Sequence, residues 1–149
     1  MSLVERFNED LKDAMKTSKA LKVSVLRMVK AAVKNRQIEK GRDLTDEEIV
    51  DVLSSMVKQR RDSVEQYTKA GRMDLATKEE EEITILQAYM PEQLGADELD
   101  RIIREAIAES SAGGPQDMGK VMRVLMPKVK GLADGKFVNQ RVKELLESR

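Results

Sequence analysis

Apolar residues recur every three or four positions along nearly the whole chain, and nowhere do they alternate with polar ones between turn residues. That spacing lines one face of an α-helix and cannot line one face of a strand. The chain is therefore expected to be all-α. Composition agrees, because Lys, Arg, Glu, Leu, Met and Ala are frequent, only three prolines occur, and aromatics make up 3%. Ser2-Leu3-Val4-Glu5 reads as a capping box that opens a helix over about 3–16, with Val4, Phe7, Leu11, Ala14 and Met15 inward. A second helix runs from about 20 to 40 on Leu21, Val25, Met28, Val29 and Ala32, and Gly41 ends it. Thr45-Asp46-Glu47-Glu48 is another capping box, starting a long third helix that Gly71 stops. Asp74 is expected to cap a fourth helix to about 89, before Pro91.

Residues 91–95 read as a linker. Three shorter patterns follow, over 97–109, over 118–126 with Pro127 and Gly131 closing it, and from Asp134-Gly135 onward. The expectation is an N-terminal four-helix bundle domain over 1–94 and a C-terminal three-helix tail domain over 95–149. With 40% of 149 residues hydrophobic, there is enough for one core or for two joined.

Histidine, cysteine and tryptophan are absent. Imidazole bases, thiolate nucleophiles, Ser-His-Asp triads and Cys/His zinc sites are thereby excluded. No catalytic residue, metal ligand or cofactor is assigned. No apolar run approaches the roughly 18 residues that span a bilayer, so no membrane is expected as a partner. The N-terminus has neither a basic region nor an apolar one, and a cytoplasmic location is expected.

The 27 basic and 27 acidic residues cancel but are not mixed. Residues 12–42 hold ten basic and two acidic residues, a net of +8. Residues 79–109 hold ten acidic and two basic, a net of −8, and residues 118–149 hold eight basic and three acidic, a net of +5. Segregated charge presents a polyanion with a positive side even on a neutral chain.

Three features depart from a plain bundle. Arg60 falls inside the apolar stripe of the third helix, and Glu79 and Glu82 fall inside that of the fourth. In an antiparallel hairpin turning near 71, position 60 lies opposite 82–83. A partly buried ion pair fixing hairpin register accounts for these charges. A carboxylate pair for acid–base work or metal binding is the alternative, but no third polar group or glycine-rich loop converges there.

Arg27, Lys30 and Lys34 form a basic row at i, i+3, i+7 on the second helix, which is either a solvated face or a phosphate-tracking surface. No aromatic residue interleaves to stack bases. Met118, Met122 and Met126 recur beside Lys120, Arg123, Lys128 and Lys130. Methionine filling a small irregular core is the simpler account, and an adaptable apolar groove rimmed by phosphate binders the other. Gly119, costly within a helix, would then admit a close neighbour.

The run Met118-Gly119-Lys120-Val121-Met122, followed by Pro127-Lys128-Val129-Lys130-Gly131-Leu132-Ala133-Asp134-Gly135 and Val138, resembles the tail domain of the GatB/YqeY family. Leu26-Arg27-Met28-Val29-Lys30-Ala31-Ala32, Lys58-Gln59-Arg60-Arg61-Asp62-Ser63, Arg72-Met73-Asp74-Leu75-Ala76 and Tyr89-Met90-Pro91-Glu92-Gln93-Leu94 are similar to its free-standing YqeY-like branch. In that family such a tail ends the B subunit of the glutamine-dependent tRNA amidotransferase, a carbon–nitrogen ligase with glutamine as amido-N-donor.

The resemblance implies an all-helical fold, tRNA or aminoacyl-tRNA as partner, and a tRNA-processing or amidotransferase protein as a further one. Ligase chemistry needs phosphate-cradling backbone and metal carboxylates, and glutaminase chemistry an activated nucleophile. Neither is visible among these residues. The expectation is a tRNA-associated accessory protein without independent catalysis, with RNA-binding residues Arg27, Lys30, Lys34, Lys120, Arg123, Lys128 and Lys130. The alternative is a helical protein–protein adaptor using the methionine-lined groove.

Overall fold

The computed structural model describes residues 1–148. Seven α-helices and one 3-10 turn make up the regular structure, and no strand occurs among the described residues. They are α1 (Leu3–Lys16), α2 (Ala20–Lys40), α3 (Asp46–Lys69), α4 (Met73–Gln87), α5 (Ala96–Ser110), the 3-10 turn Pro115–Asp117, α6 (Met118–Val129) and α7 (Gly135–Glu147). They fall into two compact units that divide after Met90.

Helix starts follow local chemistry. At α1 the Glu5 N–H donates to Ser2 Oγ at 3.2 Å, and the Ser2 N–H donates to Glu5 Oε2 at 3.1 Å. At α3 the Glu48 N–H donates to Thr45 Oγ1 at 3.2 Å, and the Thr45 N–H returns to Glu48 Oε1 at 3.0 Å. Two otherwise orphaned donors are satisfied each time. The Glu48 carboxylate also takes Lys40 Nζ at 2.5 Å from the last residue of α2 and Arg42 Nη1 at 2.8 Å from just beyond it. Hydrogen bonds from Arg42, then Lys40, then the Thr45 backbone hold the Glu48 carboxyl well below the usual range. Gly41, at φ +69°, supplies the left-handed residue that ends α2.

In the first unit, Phe7 of α1, Val25, Leu26 and Val29 of α2, Ile49 and Leu53 of α3, and Leu86 of α4 form a continuous core. α4 packs chiefly along α3 and α1 along α2. Tyr89, just past α4, meets Phe7 edge-on at 4.9 Å between ring centroids. Its hydroxyl donates to Asp10 Oδ2 at 2.5 Å, and burial followed by that carboxylate pushes the phenol well above its ordinary value. Val4, Met15 and Met28, expected inward, are exposed instead. α1 rests mainly on one neighbour, so only the narrow stripe of Leu3, Phe7 and Ala14 is covered.

In the second unit, Leu99, Ile103 and Ile107 of α5, Val121, Leu125 and Val129 of α6, and Val138, Val142 and Leu146 of α7 form a separate core. Arg141 grips Asp100 with both prongs at 2.7 Å, tying α7 to α5. The Arg141 hydrogen bonds hold Asp100 below its ordinary value.

Several boundaries differ from expectation. Pro127 does not close the helix before it but sits inside the last turn of α6, which continues to Val129. Pro127 and Arg123 are both exposed, so the missing hydrogen bond lies on the solvent side, where it is tolerated. Arg72, not Asp74, precedes α4, and Asp74 sits in its first turn, held by Arg72 Nη2 at 3.1 Å. Residues 91–95 are not a free linker. The Leu94 N–H donates to the Leu132 carbonyl at 2.8 Å, and Gln93 Nε2 donates to the Gly131 carbonyl at 3.0 Å. This strap goes with the second unit, whereas the sequence boundary places residues up to 94 with the first.

Candidate nucleic-acid interface

The inward stripe of α2 buries Val25, Leu26, Val29 and Val33. That packing turns Arg27, Lys30 and Lys34 outward, and all three are exposed. Among the described residues none of the three makes an ion pair or side-chain hydrogen bond. From Arg27 to Lys34 the row runs about 10 Å along the helix. Three solvated cations at that spacing can each meet a phosphate without first breaking an internal contact.

The second unit's cations are differently placed. Lys120 lies 3.8 Å from Asp117, and Lys128 Nζ lies 2.8 Å from Glu109. Lys130 is exposed at the end of α6 and also has an interaction partner. Arg123 is exposed and unpaired among the described residues. The row on α2 and this set belong to different units.

Met118, Met122 and Met126 are half-buried and pack against the core of the second unit. They fill space between apolar neighbours, as their flexible thioethers allow. Gly119 is exposed, with nothing within 4 Å of where a side chain would begin, so it does not serve a close approach inside the chain.

Arg60 and Glu82 face one another inside the first unit. Arg60 Nε stands 3.5 Å from Glu82 Oε1, with side chains 12% and 8% exposed. Arg60 Nη1 donates to the Met56 carbonyl at 3.1 Å, and Nη2 to Met28 Sδ at 3.6 Å. Glu79, half-buried on the same helix, does not join them in any ion pair. Nε has no hydrogen-bond partner of good geometry, and neither does the buried hydroxyl of Ser54. No group of three or more His, Cys, Asp or Glu side chains is arranged to hold a metal among the described residues. Among the described residues no helix is long and apolar enough to cross a membrane.

Two features were not anticipated from sequence. Open grooves of about 660 Å³ and about 320 Å³ lie in the seam between α1 and α2, the first bordered by Arg27 and the second by Lys30 and Lys34. The Tyr89–Asp10 clamp was also missed. Its only signal is the rarity of aromatic residues, which makes Phe7 and Tyr89 natural partners.

Among curated proteins the chain is 27% identical over 150 residues to "Altered inheritance of mitochondria protein 41, mitochondrial" of Pyrenophora tritici-repentis, covering 99% of this chain and 82% of that protein. It is 31% identical over 115 residues to the protein of the same name in Lachancea thermotolerans, covering 75% and 62%. The Candida glabrata protein of that name is 34% identical over 93 residues, covering 61% and 51%. The chain thus spans about half to four fifths of the length of these relatives. Their names correct the cytoplasmic expectation, because all three are called mitochondrial. The lack of a secretory pattern at the N-terminus, on which that expectation rested, does not separate the cytoplasm from a mitochondrial compartment. The pattern of the family described as Yqey-like protein matches residues 4–146, nearly the whole chain, and the chain belongs to that family.

Proposed function

We propose that this chain is a tRNA-associated accessory protein related to the glutamine-dependent tRNA amidotransferase, and that it binds tRNA without catalysis of its own. The observation that supports it is the row Arg27, Lys30 and Lys34, exposed and unpaired on α2 within a segment of net charge +8. Lys120, Arg123, Lys128 and Lys130 supply the second set of contacts. Lys120 and Lys128 exchange their carboxylate partners for phosphates on binding. None of these side chains is committed to reading a base edge, so RNA shape governs binding. The acidic stretch over 79–109 disfavours the wrong orientation of the polyanion. The amidotransferase relation rests on the similarity of the 118–138 motifs to the tail of the B subunit. The arrangement as a four-helix bundle followed by a three-helix tail belongs to the same reading. The relatives' names extend it to a mitochondrial setting.

The test is filter binding of tRNA across a salt series. Wild type should lose affinity steeply, by about 0.7 to 0.9 log units per log unit of salt for each phosphate neutralised. Reversal of Arg27, Lys30 and Lys34 to Glu should weaken binding and flatten that slope by about two to three units, with helicity unchanged. Absence of salt-dependent binding by wild type at low ionic strength would overturn the proposal.

A further inference from the structure

The seam between α1 and α2 carries more than positive charge. Among the described residues, most of the exposed large apolar side chains sit on these two helices. Val4 and Met15 lie on α1, and Met28 and Ile38 on α2, with Met15 54% and Ile38 70% exposed. The larger groove is walled by Ala14, Met15, Val23 and Met28, with Arg27 on its border. The smaller is walled by Val4, Phe7 and Val33, with Lys30 and Lys34 on its border. The outermost row of α2 runs Ala20, Ser24, Arg27, Ala31, Lys34 and Ile38, all exposed and at helical spacing. Three small residues in that row let another backbone come close, and two cations flank the approach. Scattered exposed apolar residues need no explanation, but two apolar grooves strung along one cationic row are a surface with something missing from it.

The chemistry of the missing piece follows from its complement. It must bring apolar side chains at intervals matching grooves on a helix pair, and negative charge beside them. A nucleic acid brings charge but nothing to fill the grooves. A second copy of this chain brings the acidic stretch over 79–109, yet that stretch exposes no large apolar side chain among the described residues. We propose that the α1–α2 seam docks an amphipathic, acidic helix of a partner polypeptide, its apolar side chains seated in the two grooves and its carboxylates on Arg27, Lys30 and Lys34. This goes beyond tRNA binding and uses the same row, so helix and RNA compete for it.

A displayed library of random peptides about 15 residues long, four helical turns, tests this on the full chain. Two variants accompany wild type: Val4→Ser with Met15→Ser, which takes one exposed apolar side chain from each groove, and Arg27→Glu with Lys34→Glu. Circular dichroism establishes that both are folded. Enriched peptides should carry apolar residues at i, i+3 or i+4, and i+7 flanked by Asp or Glu. Their affinity should fall roughly tenfold or more in each variant. The Val4/Met15 variant should bind tRNA as wild type does, which separates this surface from the RNA reading. No enrichment, or enriched peptides indifferent to both variants, would overturn the proposal. So would a Val4/Met15 loss that appears on tRNA or on anionic phospholipid vesicles and not on peptides.

Discussion

Glu82→Leu removes the carboxylate that Arg60 faces in the interior of the first unit and leaves a guanidinium that is 12% exposed. Arg60 keeps its hydrogen bond to the Met56 carbonyl and the weak one to Met28 Sδ, but Nε then faces hydrocarbon. Breaking one side of a buried pair costs about 3–5 kcal/mol. The remaining contacts put the expected loss near the lower end, about 3 kcal/mol. For a unit of this size, each kcal/mol lowers Tm by roughly 4–8 °C, so a fall of at least about 10 °C is expected. Adding Arg60→Met should restore most of it, because two apolar side chains of similar length then replace two desolvated charges. The assay is urea and thermal unfolding followed by far-UV circular dichroism for wild type, both single variants and the double. A Glu82→Leu protein melting within about 2 °C of wild type, with unchanged helix content, would refute the reasoning.

Ser54→Ala should stabilise the first unit by roughly 0.5–1 kcal/mol in the same unfolding assay, since it removes a buried hydroxyl without a partner and improves helix propensity. Asp100 is held below its ordinary value by Arg141, so its contribution is present above the unfolded pKa and is lost as pH falls through the folded one. Acid titration of stability should therefore show a loss below about pH 4 that Asp100→Asn flattens, and identical acid profiles would count against it. Given glutamine, ATP, Mg²⁺ and mischarged tRNA, the purified chain should form no amide above a no-enzyme control.

Helix type and helix starts were legible because their causes are local. Ser2 with Glu5 and Thr45 with Glu48 carry their caps within four residues, and Gly41 carries its own left-handed conformation. Hairpin arithmetic set position 60 opposite 82–83, and Arg60 stands 3.5 Å from Glu82. What escaped depends on distant neighbours. Leu94 looked like linker because its partner, the Leu132 carbonyl, lies far along the chain. Periodicity shows which residues share a face but not how much of it a neighbour covers, so Val4, Met15 and Met28 were placed inside. The basic row was visible in sequence, whereas the grooves beside it needed the packing of α1 on α2.

The loop between α2 and α3 looks like an ordinary tolerant surface turn, exposed and polar at most positions. Glu48 makes it otherwise. One carboxylate caps α3 through Thr45 and at the same time receives Lys40 and Arg42 from the far side of the loop. Loop length is thereby tied to the reach of two side chains. A single inserted residue anywhere from 42 to 44 would carry Lys40 away from Glu48 while leaving the cap at Thr45 intact. This connection should thus accept changes of sequence far more readily than changes of length.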